Sequence, residues 1–176
     1  MASWFTVYCS RSVSHVTAGD ITAALDAVDF YTVAEGFGIE DEAVVEQALS
    51  RLRVETVADA PQIRFRVSYR ASKTRPLFIH HWTGAERVRE ELDEVEAEYL
   101  AGRSERGVSQ VRKALSATVE VVAVELGLGQ LEDMGLVIAG QIAEYFAGVG
   151  AGPIRDTGDE WWTVRRGVPK LLLGRE

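Results

Sequence analysis

Cysteine is nearly missing from this chain. The single thiol, Cys9, excludes an internal disulfide and fits a reducing compartment. It lies in an apolar alternation, the usual setting of an inert buried thiol rather than of a nucleophile. Histidine is scarce too. His80 and His81 are neighbours on a predicted strand, where adjacent side chains point to opposite faces, so they cannot share a coordination sphere without a bulge. With His15 the only other histidine, no metal site and no cofactor are expected. No eighteen uncharged apolar residues occur together, which excludes a membrane-spanning helix. The opening residues lack a basic region followed by a long apolar run, and the expectation is a cytoplasmic protein. An excess of positive charge is also lacking. Nineteen basic against twenty-seven acidic residues give a net charge of −8, which repels phosphate backbones and anionic lipids, so nucleic acid and membrane surfaces are disfavoured as direct ligands.

What is present is a globular composition, 47% hydrophobic, in a length of 176 residues that suits a single compact domain. The stretch 118–164 organises it. Thr118–Glu125 reads T-V-E-V-V-A-V-E, a β-branched run typical of an inner strand. Gly127 and Gly129 interrupt it. From Leu131 apolar residues recur at Met134, Ile138, Ile142, Tyr145 and Phe146, steps of three and four that line one side of a helix. Gly148, Gly150, Gly152 and Pro153 end that helix. Ile154–Asp156 and Trp161–Val164 then flank the turn-rich Thr157-Gly158-Asp159-Glu160, giving a hairpin.

The first half has a comparable order. Trp4–Ser10 alternates as a strand, and Thr17 with Asp20 marks the start of a helix buried through Ile21, Ala24, Leu25 and Val28. Asp29–Gly38 continues as a short helix or a bend, and Asp41–Arg53 forms a further helix. After a polar link, Ile63, Phe65, Val67 and Tyr69 alternate with Arg64, Arg66, Ser68 and Arg70 in a half-exposed strand. Ala71–Pro76 turns the chain into Leu77–Trp82. The predicted fold is therefore α+β, with about six strands in one or two antiparallel sheets and helices packed on a face. Residues 1–82 and 118–176 read as two β-α-β-β-like halves joined by a helical linker, 83–117, although no residue-by-residue identity relates them.

The acidity is concentrated in that linker. Thr83-Gly84-Ala85-Glu86 has the capping-box spacing. Val88, Leu92, Val95 and Tyr99 follow as one seam, with Glu86, Glu90, Asp93 and Glu94 opposite it and Glu91, Glu96 and Glu98 on the flanks. Glu86–Glu98 holds seven acids and two bases, a local net of −5. Such a face keeps a protein soluble, but it also suits a basic protein partner, because complementary charge speeds encounter and fixes register. A second candidate site gathers Gly127, Gly129, Asp159, Glu160 and Trp162 around a cleft between the halves, where a small molecule could sit. The glycine pattern G-L-G-Q-L-E-D-M-G matches neither a dinucleotide fingerprint nor a P-loop, and Glu132 and Asp133 at the helix start would repel phosphate.

No catalytic set stands out, and an enzyme is not the favoured expectation. In size, acidity and lack of such a set the chain is similar in type to bacterial immunity and antitoxin-type inhibitors, which neutralise basic partners such as toxin nucleases. Its preference for Ala, Val, Gly, Glu and Arg over Lys fits a GC-rich bacterial source. The alternatives are a small-molecule enzyme or sensor, and a homo-oligomer assembled through a sheet edge or the apolar tail Val168–Leu173.

Overall fold

A computed structural model of the chain describes residues 2–71 and 73–175; Ser72, within the predicted turn Ala71–Pro76, lies outside them. The first strand, β1 (Ala2–Cys9), leads into three helices, α1 (Ala18–Asp26), α2 (Phe30–Gly36) and α3 (Glu42–Arg51). Each begins where a side-chain oxygen accepts an orphan amide hydrogen. Thr17 and Asp20 form a capping box, Asp29 accepts from the Thr32 N–H, and Asp41 accepts from the Ala43 N–H. Three strands follow, β2 (Arg53–Thr56), β3 (Ile63–Ser68) and β4 (Leu77–Trp82). Next come α4 (Ala85–Val95), a π-helical turn (Glu96–Leu100) and α5 (Arg106–Leu115). The chain closes with β5 (Glu120–Gly127), a 3-10 turn (Leu128–Gln130), α6 (Met134–Gly150), β6 (Ile154–Arg155), β7 (Trp161–Arg165) and β8 (Val168–Leu173). The capping box expected at Thr83 does not form: Gly84 is the cap of α4, one residue later, which leaves the Thr83 hydroxyl out of register with the third amide.

Among the described residues the eight strands form one open antiparallel sheet in the order β2-β3-β4-β5-β1-β6-β7-β8. The α+β class is as expected and the count of about six strands is corrected. The helix expected over Asp41–Arg53 ends at Arg51, where Leu52 turns extended, and Arg53 begins β2, which has one apolar residue in four; its other residues read as a polar link, yet it pairs with β3 from Arg53↔Ser68 to Thr56↔Phe65. β8 reads as an apolar tail and is instead an edge strand on β7. Arg166 and Gly167, with φ of 54° and 75°, make the two-residue turn between them, and that left-handed pair matches the twist of a tight hairpin.

The chain divides into two compact units, each drawing on both halves of the sequence. One comprises the residues up to Ser3, Val16–His80 and Val124–Ile142. Its core joins Ile21, Leu25, Phe30, Ala34, Val45 and Ala48 of the helices to Phe65, Val67, Leu77 and Ile79 of the strands, while Arg66 stands exposed between its two buried neighbours. The other comprises Trp4–His15, His81–Ala123 and the residues from Ala143 onward. There Tyr8, Val121, Trp161 and Leu173 pack with Val88, Val95, Leu100, Val108, Val111 and Leu115. Two close backbone approaches require glycine: a Cβ on Gly107 would lie 2.2 Å from the Leu172 carbonyl oxygen, and one on Gly152 would lie 1.8 Å from that of Tyr8.

α6, the clearest helix in the sequence, departs from the one-sided stripe. Val137, Ala139, Ala143 and Ala147 are buried as well as Met134, Ile138, Ile142 and Phe146. A helix apolar nearly all round is an interior helix.

Candidate functional site

On α4 the four acids Glu86, Glu90, Asp93 and Glu94 are all exposed, and the opposite side of the helix is sealed by Val88, Glu91 and Val95. Glu90 accepts from Arg87 at 3.2 Å, and Glu96 accepts from Arg112 Nε at 3.0 and 3.1 Å and from its Nη2 at 2.5 Å. Glu86, Asp93 and Glu94 have no cationic partner among the described residues.

Glu91 is not on a solvated flank. It is 8% exposed and belongs to the buried side. At 100° per residue Glu91 lies about 60° from Val88, so a modest rotation of the buried stripe is enough to include it. Leu92 is correspondingly only half-buried. The seam also fails to continue to Tyr99 as a fully buried position. The π-helical turn inserts a residue, and Leu100, five positions after Val95, takes that place. Tyr99 turns instead to a buried polar group, where the Arg155 guanidinium stacks 4.0 Å from its ring centroid. Arg155 also bonds Asp159 at 3.2 Å. Nearby, the Tyr8 hydroxyl donates to Glu91 over 3.4 Å, a long bond. Burial raises the Glu91 carboxyl above its ordinary range, with Glu94 adding to the rise and Arg155 and Arg87 opposing it. Burial likewise raises Tyr8.

A second carboxylate on the sheet is held in the reverse manner. Glu120, 7% exposed, opens β5. One of its oxygens accepts from Ser12 Oγ at 2.6 Å and Ser14 Oγ at 3.0 Å; the other accepts from the Val13 N–H at 2.8 Å and lies 2.9 Å from His81 Nε2. Burial acts to raise its pKa, but these donors together outweigh burial and bring it to about 2. Because the carboxylate is ionised, the bond to His81 requires the proton on Nε2. Glu120 thereby ties the loop of residues 10–15 to the sheet. Cys9 is fully buried, and burial together with Glu120 pushes its thiol up to about 12. It has no thiolate character at neutral pH. Sequence reasoning missed Glu120, although an acid inside a valine run was the visible signal.

The residues of the alternative site fall in different units. Gly127 and Gly129 belong to the first, beside the 3-10 turn, where the Gly127 N–H donates to Gln130 Oε1 at 2.8 Å and Gln130 Nε2 donates to the Arg75 carbonyl at 3.0 Å. Asp133 accepts from the Gly135 N–H at 2.7 Å through its side chain and from the Leu136 N–H at 3.1 Å through its carbonyl, so these two amides at the helix start are engaged. Asp159, Glu160 and Trp162 belong to the second unit and surround the β6–β7 turn. That turn is organised by Asp156, which accepts from the N–H groups of Gly158 and Glu160 and from Trp162 Nε1, at 2.8, 3.0 and 2.8 Å.

His80 and His81 serve separate carboxylates, Glu125 at 2.8 Å and Glu120 at 2.9 Å. Among the described residues no group of three or more His, Cys, Asp or Glu side chains is placed to hold a metal ion, and no helix is long and apolar enough to cross a membrane. No protein-family model, no curated protein and no solved structure matches the chain.

Proposed function

We propose that the protein is a stoichiometric binding protein that presents the acidic face of α4 to a basic protein partner. The observation that supports this most is the exposure of Glu86, Asp93 and Glu94, without counter-ions among the described residues, on a helix anchored by Val88, Glu91 and Val95. Like charges three and four residues apart cost helix stability, so this face is not explained by what it does for its own fold. A fixed array of carboxylates matches a protein whose active groove carries lysine and arginine, as in a nuclease, and an inhibitor of the immunity type is the function it fits. Complementary charge of this kind makes association fast and sensitive to salt.

The experiment is affinity capture from the source lysate at low and high salt, with native mass spectrometry of the captured species. A basic protein held in fixed stoichiometry at low salt and released at high salt is the expected result. Recovery of the chain alone, or only with copies of itself, would point to a self-assembling domain instead.

A further inference from the structure

The first unit contains a cleft of about 640 Å³ where α3 ends and β2 begins. Four of its nine described lining residues are arginines, Arg51, Arg53, Arg66 and Arg70, and none of those nine is acidic. The cleft is open to solvent, so a ligand there is held by the charge of the lining rather than by enclosure. From this arrangement we infer a binding site for a small phosphorylated ligand, one that does not depend on the acidic face of α4.

The strand register explains why the arginines converge. Arg53 on β2 lies directly opposite Ser68 on β3, and Arg66 precedes Ser68 by two residues on the same face. Arg70 follows Ser68 by two, and Arg51, in the last turn of α3, enters from the other side of Leu52. A group placed above Ser68 is therefore approached by several guanidinium groups. Arg66 is paired with Glu55 at 2.9 Å, and Arg70 with Asp133. Arg53 donates only to the Leu52 carbonyl, at 2.6 Å, and neither Arg51 nor Arg53 has a carboxylate partner among the described residues. Two uncompensated cations remain beside two compensated ones, in a protein whose net charge is −8.

The hydroxyls have a matching division of labour. Thr74 donates its hydroxyl hydrogen to the Ala71 carbonyl at 2.8 Å, whereas among the described residues no hydrogen bond occupies the Ser68 hydroxyl. Ser68 can donate to an anion. A carboxylate takes one guanidinium fork, but a phosphoryl group spreads its oxygens tetrahedrally and can accept from two forks and a hydroxyl together. An extended polyanion such as nucleic acid would meet the acidic remainder of the surface, so the ligand expected is compact.

The test is calorimetric titration at low salt with inorganic pyrophosphate and with citrate. It uses the native chain, the double variant Arg51→Gln/Arg53→Gln, and the control Arg165→Gln/Arg166→Gln, which removes the same charge in the other unit. Native protein should bind one pyrophosphate per chain. The cleft variant should bind at least about tenfold more weakly, since each charge-assisted bond is worth that order. The control should bind as the native chain does, and all three should melt at the same temperature. Absence of saturable binding, equal weakening in both variants, or undiminished binding by the cleft variant would overturn the site. Tighter binding of citrate than of pyrophosphate would overturn the phosphoryl assignment.

Discussion

Glu120 and the acids of α4 are the same chemistry in opposite situations. Glu120 is buried; its bonds from Ser12, Val13 and Ser14 pin a loop to the sheet, and its contact with His81 joins β5 to β4. Glu86, Asp93 and Glu94 are in water and touch no cation among the described residues. Glu91 lies between these cases: buried on the same helix, among the described residues it has one long bond from Tyr8 and an Arg87 nitrogen 3.9 Å away. The difference teaches that a count of acids says little about what each one does. A carboxylate that is desolvated and fully bonded holds structure, one that is desolvated and poorly bonded strains it, and one left in solvent is free to meet a partner.

The largest effect should come from Glu120→Gln. It places an amide donor among four donors, and urea unfolding at pH 7 should show a loss of about 3 kcal/mol. The pH dependence has a definite sign. Glu120 has a folded pKa of about 2 against an ordinary 4.5. Its contribution, about 3 kcal/mol at most, is therefore present above about pH 4.5 and lost as pH falls towards 2. The stability of native protein should fall across that window, and the variant should lack this component; identical slopes would remove Glu120 from its assigned role.

Smaller losses, about 1 kcal/mol each, are expected from Ser12→Ala and Ser14→Ala, and because they share one carboxylate oxygen their effects should not add. Glu91→Gln should behave differently from Glu120→Gln. A carboxyl whose pKa is raised in the fold destabilises it above that pKa, so the substitution should be neutral or stabilising by up to about 1 kcal/mol at pH 7, and the gain should disappear as pH falls towards the ordinary value. A loss as large as that of Glu120→Gln would abolish the contrast. The smallest change in stability, within about 0.5 kcal/mol, is expected for the triple reversal Glu90→Lys/Asp93→Lys/Glu94→Lys, because exposed charges contribute little even where one of them, Glu90, is paired with Arg87.

These distinctions were legible in the sequence only where a period decides them. The exposure of Glu86, Glu90, Asp93 and Glu94 follows from their placement opposite Val88 and Val95, and the alternation of β3 follows from a period of two. Glu91 could not be placed in that way, since its position at the edge of the seam depends on which side of α4 meets the sheet. The π-helical turn was equally hidden, because a step of four from Val95 to Tyr99 continues an ordinary helix. β2 has almost no apolar pattern and becomes a strand only through its partner, so the pairing of Arg53 with Ser68, and with it the arginine cleft, had no local signature. β8 carries Pro169 and Lys170, marks of an edge strand that look like a tail until the Arg166-Gly167 turn is recognised.

The most direct test of the binding role is partner capture by the triple reversal variant of α4, run beside native protein after urea unfolding has established that both are equally stable. The expected result is stoichiometric capture of a basic protein by the native chain and its loss in the variant. Equal capture by both would contradict the assignment of α4 as the recognition surface.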